Sequence, residues 1–380
     1  MIIYLILPLA MCNWVGFMSS RVLMSLYAIQ LDASQAAIGV LIALFGLGPV
    51  LLSVISGRVC DRVGTHWPIL LGTAGMTVGY LIPWQFGGIE VLYLSATISG
   101  TGLVFSNIAL QNLVASLGEG DQRTRNVSLQ SLCVALSSLI GPLLVGISID
   151  HRGHVPTFLY ITLLTGSSCL AWVAARRIIP HPRRKPKAEA TSRVRDLLKI
   201  PALRRIVIMS GLLVAGVDLY NFYLPIYGHS IGLSATMIGV ILGAFAAAAI
   251  LVRFFLPHLT KWLGDERVMT SSMLLAGLLF LFFPFVDQVV YLLLISFGLG
   301  LVLGVGQPLS LVMTYNRAPA GRTGEALGMR FTFVNLTHMV IPMAAGTIGA
   351  ALGVITVFFA NSVLMLGGSY LHHRETAKKK

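Results

Sequence analysis

A stretch near the start of the chain occurs twice and decides the fold. Residues 34–45 read SQAAIGVLIALF, and residues 234–245 read SATMIGVILGAF. The likeness extends to both sides, and the matched residues are Tyr27, Ser34, Ile38, Gly39, Val40, Phe45, Leu51 and Gly64 with Tyr227, Ser234, Ile238, Gly239, Val240, Phe245, Leu251 and Gly264. The sequence therefore indicates two like halves. Such halves within a membrane are typical of proteins that move a solute between them.

The composition predicts an integral membrane protein. Of the 380 residues, 56% are hydrophobic and only 11% are charged, which excludes a soluble domain of this length. A helix needs about 20 apolar residues to cross the bilayer core. We predict an all-α protein with twelve membrane spans, at residues 2–28, 35–58, 67–86, 89–115, 126–149, 155–177, 204–228, 235–258, 267–286, 289–314, 325–350 and 352–371. Continuous apolar runs such as 274–283 argue against β-barrel strands, in which apolar and polar residues alternate.

The net charge of +13 predicts orientation rather than nucleic-acid binding. With both termini in the cytoplasm, almost all basic loop residues lie on the cytoplasmic side, and only Arg152 lies outside. This distribution predicts a multi-pass protein of a bacterial-type inner membrane. No aromatic-rich basic surface is present in the sequence, so we expect no nucleic-acid partner.

One long polar segment divides the chain. It contains Pro180, Pro182 and Pro186 among basic residues, which is typical of a cytoplasmic linker. We predict an N-terminal six-helix bundle at residues 1–178, a basic linker at 179–202, a C-terminal six-helix bundle at 203–373 and a basic tail at 374–380. A short surface helix is expected at residues 191–199.

The loop between the second and third spans carries a recognisable pattern. It reads Gly57-Arg58-Val59-Cys60-Asp61-Arg62-Val63-Gly64. This resembles the signature loop of the major facilitator superfamily, G-x-x-x-D-R-x-G followed by two basic residues, although Thr65 and His66 stand at the last two positions. The resemblance implies a conformational latch made by Gly57, Asp61, Arg62 and Gly64. The alternative is a charged turn without a mechanical role.

The resemblance covers the entire chain and implies two pseudo-symmetric six-helix bundles that alternate access to a central cavity. Gly141-Pro142 with Gly146 resembles a degraded Gly-Pro motif of family exporters, which implies helix bending, although these residues also suit close packing. The fourth span lacks the arginine that proton-linked antiporters of the family usually carry there. In the second copy of the loop, Lys261 and Trp262 replace Asp61 and Arg62.

Two charges lie deep within predicted spans. Arg21 is in the first span and Asp218 is in the seventh. A charge at the bilayer centre costs about 2.5 to 3.5 kcal/mol on insertion scales, so retained charges suggest a function. The resemblance implies that these two helices face each other, and we predict an Arg21–Asp218 pair whose separation lets Asp218 take up a proton. The alternative is a static salt bridge.

Further polar residues lie on spans that the resemblance places around the cavity. The candidates for solute or proton contact are Asn107, Gln111, Tyr220, Asn221, Gln307, Ser310, Tyr315, Asn335 and His338. Singly, each such residue is more often a helix-to-helix hydrogen bond than a ligand contact, and only the collection favours solute contact. Arg253 and Arg330 lie near helix ends, where we expect them to snorkel towards the interface. Pro308, after a glycine-rich run, predicts a bend in the tenth span.

These features predict a secondary active transporter of a small solute, with proton-coupled export of drugs or metabolites as the leading function. Proton-coupled uptake of an organic anion is the alternative within transport, because Arg21 suits a carboxylate. A non-transporting membrane sensor or scaffold is the alternative from another class. The sequence has no P-loop and no clustered catalytic or metal-ligand residues, so we predict no enzyme activity, no metal and no cofactor. The expected partners are a small-molecule substrate, protons and the lipid bilayer, and we expect a monomer.

Overall fold

The computed structural model describes residues 2–117, 120–175, 194–319 and 322–377, and these residues contain helices and no strand. The six helices of the first half begin and end close to the predicted spans. They are α1 (Ile3–Gln30), α2 (Gln35–Val63), α3 (His66–Gln85), α4 (Ile89–Ser116), α5 (Gly120–Arg152) and α6 (His154–Ala175).

The second half has the same succession of long helices, with two interruptions. Its helices are α7 (Pro201–Ser230), α8 (Ala235–Leu263), α9 (Asp265–Phe282), α10 (Val289–Leu303), α11 (Gly306–Arg317), α12 (Thr323–Leu352) and α13 (Val354–Ala377). A short 3-10 helix, Phe283–Phe285, follows α9. The predicted tenth span is divided into α10 and α11.

Eleven helical segments in the described part of the chain are long and apolar enough to cross a membrane. One of them, Val289–Arg317, contains both α10 and α11. The remaining predicted span forms α3, which is not among the eleven because its glycines, threonines and prolines lower its mean hydropathy. The prediction of an all-α membrane protein is confirmed.

The helices form two compact units. The first contains α1 to α6 together with Gly228–Gly243, which is the end of α7 and the beginning of α8. The second contains α7 as far as Tyr227 and the chain from Ala244 onwards. Helices α7 and α8 therefore each contribute to both units.

Small residues hold the helices of the first unit close together. Gly72 on α3 faces Gly102 on α4, and a Cβ atom added at Gly72 would overlap the carbonyl oxygen of Gly102 and lie 2.6 Å from the amide nitrogen of Ser106. Lipid tails are as apolar as leucine, so helices in a membrane gain their cohesion from close packing rather than from the hydrophobic effect. Glycine at these positions permits that packing.

Helix α5 packs against the first turns of α8, also within the first unit. A Cβ atom at Gly239 would overlap the carbonyl oxygen of Pro142. The Asp150 carboxylate accepts hydrogen bonds from the backbone N–H groups of Ala235 at 3.0 Å and Thr236 at 2.7 Å. The first N–H groups of a helix lack partners within the helix, and a carboxylate there also interacts favourably with the helix dipole. Asp150 thus fixes the start of α8.

A polar network joins three helices of the second unit. Glu266 on α9 pairs with Arg317 on α11 and lies 3.1 Å from Nε2 of His372 on α13. Nδ1 of His372 lies 2.6 Å from the hydroxyl of Thr270. These contacts satisfy a largely buried imidazole at one end of the unit.

The interruption between α10 and α11 coincides with a backbone hydrogen bond that Pro308 cannot make, although α5 continues past Pro142. Pro308 has no N–H group, so the carbonyl of Gly304 cannot receive the hydrogen bond that would continue the helix. Regular α-helix ends at Leu303 and resumes at Gly306. A side chain at Gly304 would also meet Cα of Ala249 at 2.7 Å, so glycine is needed for the close approach of α8.

Most of the predicted linker lies outside the described residues, as does part of the predicted tail. The end of the linker, Val194–Lys199, forms a 3-10 helix rather than the predicted surface helix of residues 191–199. Leu197 is fully buried against Leu203 and Val207 of α7 and Ala326 of α12. The segment therefore joins the second unit because its leucine completes an apolar cluster.

We predict that Gly72→Ala lowers the free energy of unfolding by about 1 to 3 kcal/mol, because the new methyl group would force the backbones of α3 and α4 apart. Thermal unfolding of the purified protein measures the effect. Gly75→Ala on the same helix is the matched control, since the nearest atom to its added Cβ is 3.7 Å away. Equal effects of the two substitutions would contradict the packing role of Gly72.

We predict that Pro308→Ala raises the melting temperature, because the new N–H group can donate to the carbonyl of Gly304 and add about 1 kcal/mol of stability. The control is Pro68→Ala in the first turn of α3, where a backbone N–H has no helical acceptor. An unchanged melting temperature for Pro308→Ala, or an equal rise for both variants, would show that the missing hydrogen bond does not set the interruption.

Candidate functional site

The main polar site of the second unit lies between α7 and α12. Asp218 on α7 is 2% exposed, and its Oδ2 lies 2.5 Å from Nδ1 of His338 on α12. The side chain of His338 is 39% exposed, so the pair joins a buried carboxylate to a partly accessible imidazole. Both groups exchange protons in proteins.

Two side-chain contacts join α7 to α12, between residues 120 and 122 positions apart in the sequence. The hydroxyl of Tyr223 donates to the carbonyl of Ala345 at 2.5 Å, just beyond the Asp218–His338 pair along both helices. Residues about 120 positions apart in the sequence therefore lie at the same level of the two helices. These contacts bring together groups whose sequence spacing gives no sign of contact.

A second polar cluster lies nearer the N-terminal ends of the same two helices. Arg330 on α12 donates from Nη2 to Oε1 of Gln307 at 2.8 Å and to Oγ of Ser310 at 2.6 Å. Its Nε also donates to Ser310, at 3.1 Å. Ser210 on α7 donates to Ser310 at 3.4 Å. Arg330 is only 3% exposed, so a buried cation is held here by neutral oxygen atoms.

The cation and the acid occupy separate levels of the unit. Eight residues separate Ser210 from Asp218 on α7, and eight separate Arg330 from His338 on α12. At 1.5 Å per residue this is about 12 Å along each helix. The two clusters can therefore act on different groups at the same time.

The candidates in the first unit lie on α1 and α4. Arg21 is half-buried on α1. On α4, the amide nitrogen of Gln111 lies 3.4 Å from Oδ1 of Asn107, and Gln111 is exposed. The predicted pairing of Arg21 with Asp218 remains a prediction, while His338 is the partner of Asp218 within the second unit.

Asn107 also lines a small cavity in the first unit, with Ala10, Asn13, Trp14, Ile69, Leu103, Ser106, Leu110 and Trp172. Nδ2 of Asn13 donates to the hydroxyl of Thr73 at 2.9 Å. Oδ1 of Asn13 and Nε1 of Trp172 are buried and have no hydrogen-bond partner in the described part of the chain. Two residues that line the cavity thus each have one buried polar atom without a partner among the described residues.

The other candidates have different surroundings. Tyr220 is fully buried and stacks on Phe245, with ring centroids 4.5 Å apart, which fits a packing role. The amide of Asn221 donates to the carbonyl of Val217 in its own helix, at 2.9 Å. Tyr315 is 63% exposed, and Asn335 is half-buried.

The residues of the signature loop form the C-terminal end of α2. Gly64 has φ +84°, a conformation that favours glycine, and its N–H donates to the carbonyl of Cys60 at 3.0 Å. Gly57 is open, with no atom within 4 Å of an added Cβ, and Arg62 is exposed. The side chain of Asp61 lies outside the described part of the structure, so the latch remains a prediction.

The Gly141-Pro142 pair lies where α5 crosses α1. The hydroxyl of Ser19 donates to the carbonyl of Gly141 at 3.0 Å. A Cβ atom at Gly141 would lie 2.9 Å from Cβ of Met18. These contacts show close packing at this position, and Pro142 lies within a helix that runs without interruption to Arg152.

Two features were missed by sequence reasoning. Arg330 was expected to snorkel, but it is buried, because Gln307 and Ser310 provide acceptors inside the unit. His338 was considered alone, although it is the partner of Asp218. Asp218 and His338 are 120 residues apart, whereas Arg330 lies only 20 and 23 residues from Ser310 and Gln307, so no single sequence spacing would have suggested both features.

Among the described residues, no group of three or more His, Cys, Asp or Glu side chains is placed to hold a metal ion. The arrangement that the structure does provide consists of a buried carboxylate paired with an imidazole and a separate buried guanidinium, within helices that can span a bilayer. Such groups can bind a solute or a proton and release them again as the helices move.

Structural comparison shows the same fold in solved transporters. The nucleoside transporter NupG aligns with a TM-score of 0.82 at 15% identity, covering 98% of this chain and 99% of that chain. A peptide transporter, POT, in complex with sulfate aligns with a TM-score of 0.80 at 14% identity, covering 99% and 94%. At these identities the likeness concerns the fold.

Sequence comparison gives relatives along most of the chain. Multidrug resistance protein 1 of Bacillus subtilis (strain 168) is 22% identical, covering 89% of this chain and 87% of its own length. The tetracycline resistance protein, class G, of Vibrio anguillarum is 26% identical, covering 80% and 78%. The family model described as Major Facilitator Superfamily matches residues 6–342 and, in a second match, residues 206–380. The chain belongs to the major facilitator superfamily and is a multi-pass secondary transporter of a small solute rather than an enzyme.

Proposed function

We propose that this protein exports drugs or small metabolites in exchange for protons. The observation that carries the proposal is the buried Asp218 carboxylate with Nδ1 of His338 at 2.5 Å. A carboxylate enclosed in this way is costly when ionised and unpaired, so its protonation depends on what lies beside it. A transporter can use this dependence to couple a proton to a solute.

The direction of transport is supported by the relatives. Two of them are named for multidrug and tetracycline resistance, and others are named quinolone resistance protein NorA of Staphylococcus aureus. The names of these relatives favour export. Their identities to this chain, 20 to 26%, do not identify the solute. The degraded Gly-Pro motif at Gly141 and Pro142 also favours an exporter.

In the proposed cycle, Asp218 is ionised while His338 is protonated or Arg21 is near, and it becomes neutral when it takes up a proton. A neutral carboxyl group leaves Arg21 without its partner, and the conformation that requires the pair is then disfavoured. The proton is released when the ion pair forms again. In this proposal, Arg21 stabilises ionised Asp218 in one conformation, and His338 stabilises it within the second unit.

The proposed location is the inner membrane, with the protein acting as a monomer and both termini in the cytoplasm. The basic loop residues favour this orientation, because cytoplasmic loops carry an excess of lysine and arginine. In this orientation the Arg330 cluster lies nearer the cytoplasm than Asp218, since both α7 and α12 run outwards. The signature loop would be cytoplasmic, where a latch between Asp61 and neighbouring helix ends could shut that side.

We predict that Asp218→Asn lowers the rate of efflux driven by a pH gradient by roughly a hundredfold or more, because the amide cannot exchange a proton. Ethidium efflux from proteoliposomes with an imposed pH gradient measures coupled transport, and ethidium counterflow without a gradient measures exchange. Counterflow should persist in this variant. His338→Asn should flatten the pH dependence of efflux, since its amide can bond Asp218 but cannot titrate.

The matched control is Asp287→Asn, an acid of the same unit in the connection before α10 rather than inside a span. This variant should retain gradient-driven efflux. If Asp218→Asn kept proton-driven efflux with an unchanged pH dependence, the coupling proposal would fail. If the unmodified protein moved ethidium in neither assay while remaining folded, export of such compounds would be excluded.

A further inference from the structure

The buried guanidinium of Arg330 lacks an acidic partner, which is unusual within a membrane span. It is 3% exposed, and its partners are the side-chain and backbone oxygens of Gln307 and the hydroxyl of Ser310. All of these are neutral. Neutral oxygens satisfy hydrogen bonds but leave the positive charge uncompensated, and an uncompensated charge is unfavourable in a low-dielectric region.

Among the acids of the second unit whose side chains the structure describes, none forms an ion pair with Arg330. Asp218 pairs with His338, Glu266 with Arg317 and His372, and Glu325 with Arg322. Asp265 and Asp287 lie at the ends of helical segments, and neither has an ion pair to Arg330. The guanidinium is therefore available to an anion that comes from outside the protein.

We propose that Arg330 binds the carboxylate group of those solutes that carry one, which makes small organic carboxylates one substrate class of the transporter, beside cations such as ethidium. This proposal rests on the proposed transport function and deepens it. The cluster at Arg330 binds the negative end of the solute. Asp218 and His338 take up and release the proton about 12 Å away along the helices.

The geometry of the guanidinium fits this ligand. Nε and Nη2 lie on one edge of the planar group, and both donate to Ser310 Oγ, at 3.1 and 2.6 Å. The same edge binds a carboxylate through two parallel hydrogen bonds. A carboxylate arriving here would replace Ser310 and Gln307 as acceptors. Ser310 could then keep Ser210 as its neighbour, since their hydroxyl oxygens are 3.4 Å apart.

Gln307 provides the path to this edge. It is exposed, whereas Arg330 and Ser310 are buried, so its side chain stands between the guanidinium and the outside of the unit. Its Oε1 accepts a hydrogen bond from Nη2 of Arg330 at 2.8 Å. The glutamine thus competes with an incoming anion for the same N–H group, and its rotation away from Arg330 would open the site.

The experiment measures binding to the purified full-length protein by thermal unfolding, with benzoate as the anionic probe and benzamide as its neutral isostere. We expect benzoate to raise the melting temperature in a saturable manner and benzamide to leave it unchanged. Arg330→Gln should abolish the benzoate shift. Arg330→Lys should weaken benzoate binding by roughly tenfold, because an ammonium group keeps the charge but cannot form two parallel hydrogen bonds.

Gln307→Ala gives the sharpest test and does not depend on the folding of the Arg330 variants. Removal of the competing acceptor should strengthen benzoate binding by roughly fivefold. A purely structural role of the cluster predicts instead that Gln307→Ala lowers the melting temperature and leaves the benzoate affinity unchanged. That result would overturn the proposal, as would equal shifts with benzoate and benzamide or a benzoate shift that survives Arg330→Gln.

Phosphatidylglycerol is tested in parallel, since a lipid phosphate offers similar oxygen atoms. Stabilisation by this lipid alone, dependent on Arg330, would assign the site to the bilayer and overturn the substrate proposal. Benzoate binding requires no transport, and gradient-driven ethidium efflux requires no carboxylate. A failure of the carboxylate site is therefore distinguishable from a failure of proton-coupled export.

Discussion

The interior of a bilayer offers no water to polar groups, and the rest of this structure depends on that constraint. Each backbone N–H and C=O group must find a partner within the protein, so the chain forms long helices throughout the described segments. An interruption in the span Val289–Arg317 lies next to Pro308, which has no backbone donor, and Gly304 there approaches α8 closely. The same constraint places Asp218, His338 and Arg330 in contact with polar groups instead of lipid.

The helices are held together by the close fit of their surfaces at glycine residues. Gly72 and Gly102 bring α3 against α4, and Gly300 lets α10 approach the backbone of Phe245 on α8. These are backbone-to-backbone contacts that any larger residue would prevent. Since lipid competes equally for apolar side chains, such fits determine which helices become neighbours. The positions of the polar groups are in turn determined by this packing.

The sequence predicted the fold well because its signals are local. Apolar runs of about 20 residues, the repeat of residues 34–45 and the Gly57–Gly64 pattern each depend on neighbouring residues only. The candidate site was less predictable. Arg330 gives no sign of burial until α11 is packed beside it, and His338 contacts Asp218 across 120 residues of sequence. The interruption near Pro308 was anticipated as a bend, but its position four residues earlier coincides with the lost hydrogen bond.

The contacts between α7 and α12 have an evolutionary consequence. Tyr223 reaches Ala345, Asp218 reaches His338, and Ser210 reaches Arg330 through Ser310. A change on one helix therefore alters the surroundings of a position about 120 residues later on the other. Related transporters with the same packing should change these positions together, so that loss of the acid at 218 accompanies loss of the imidazole at 338. Covariation at this fixed spacing would identify the helix pair without a structure.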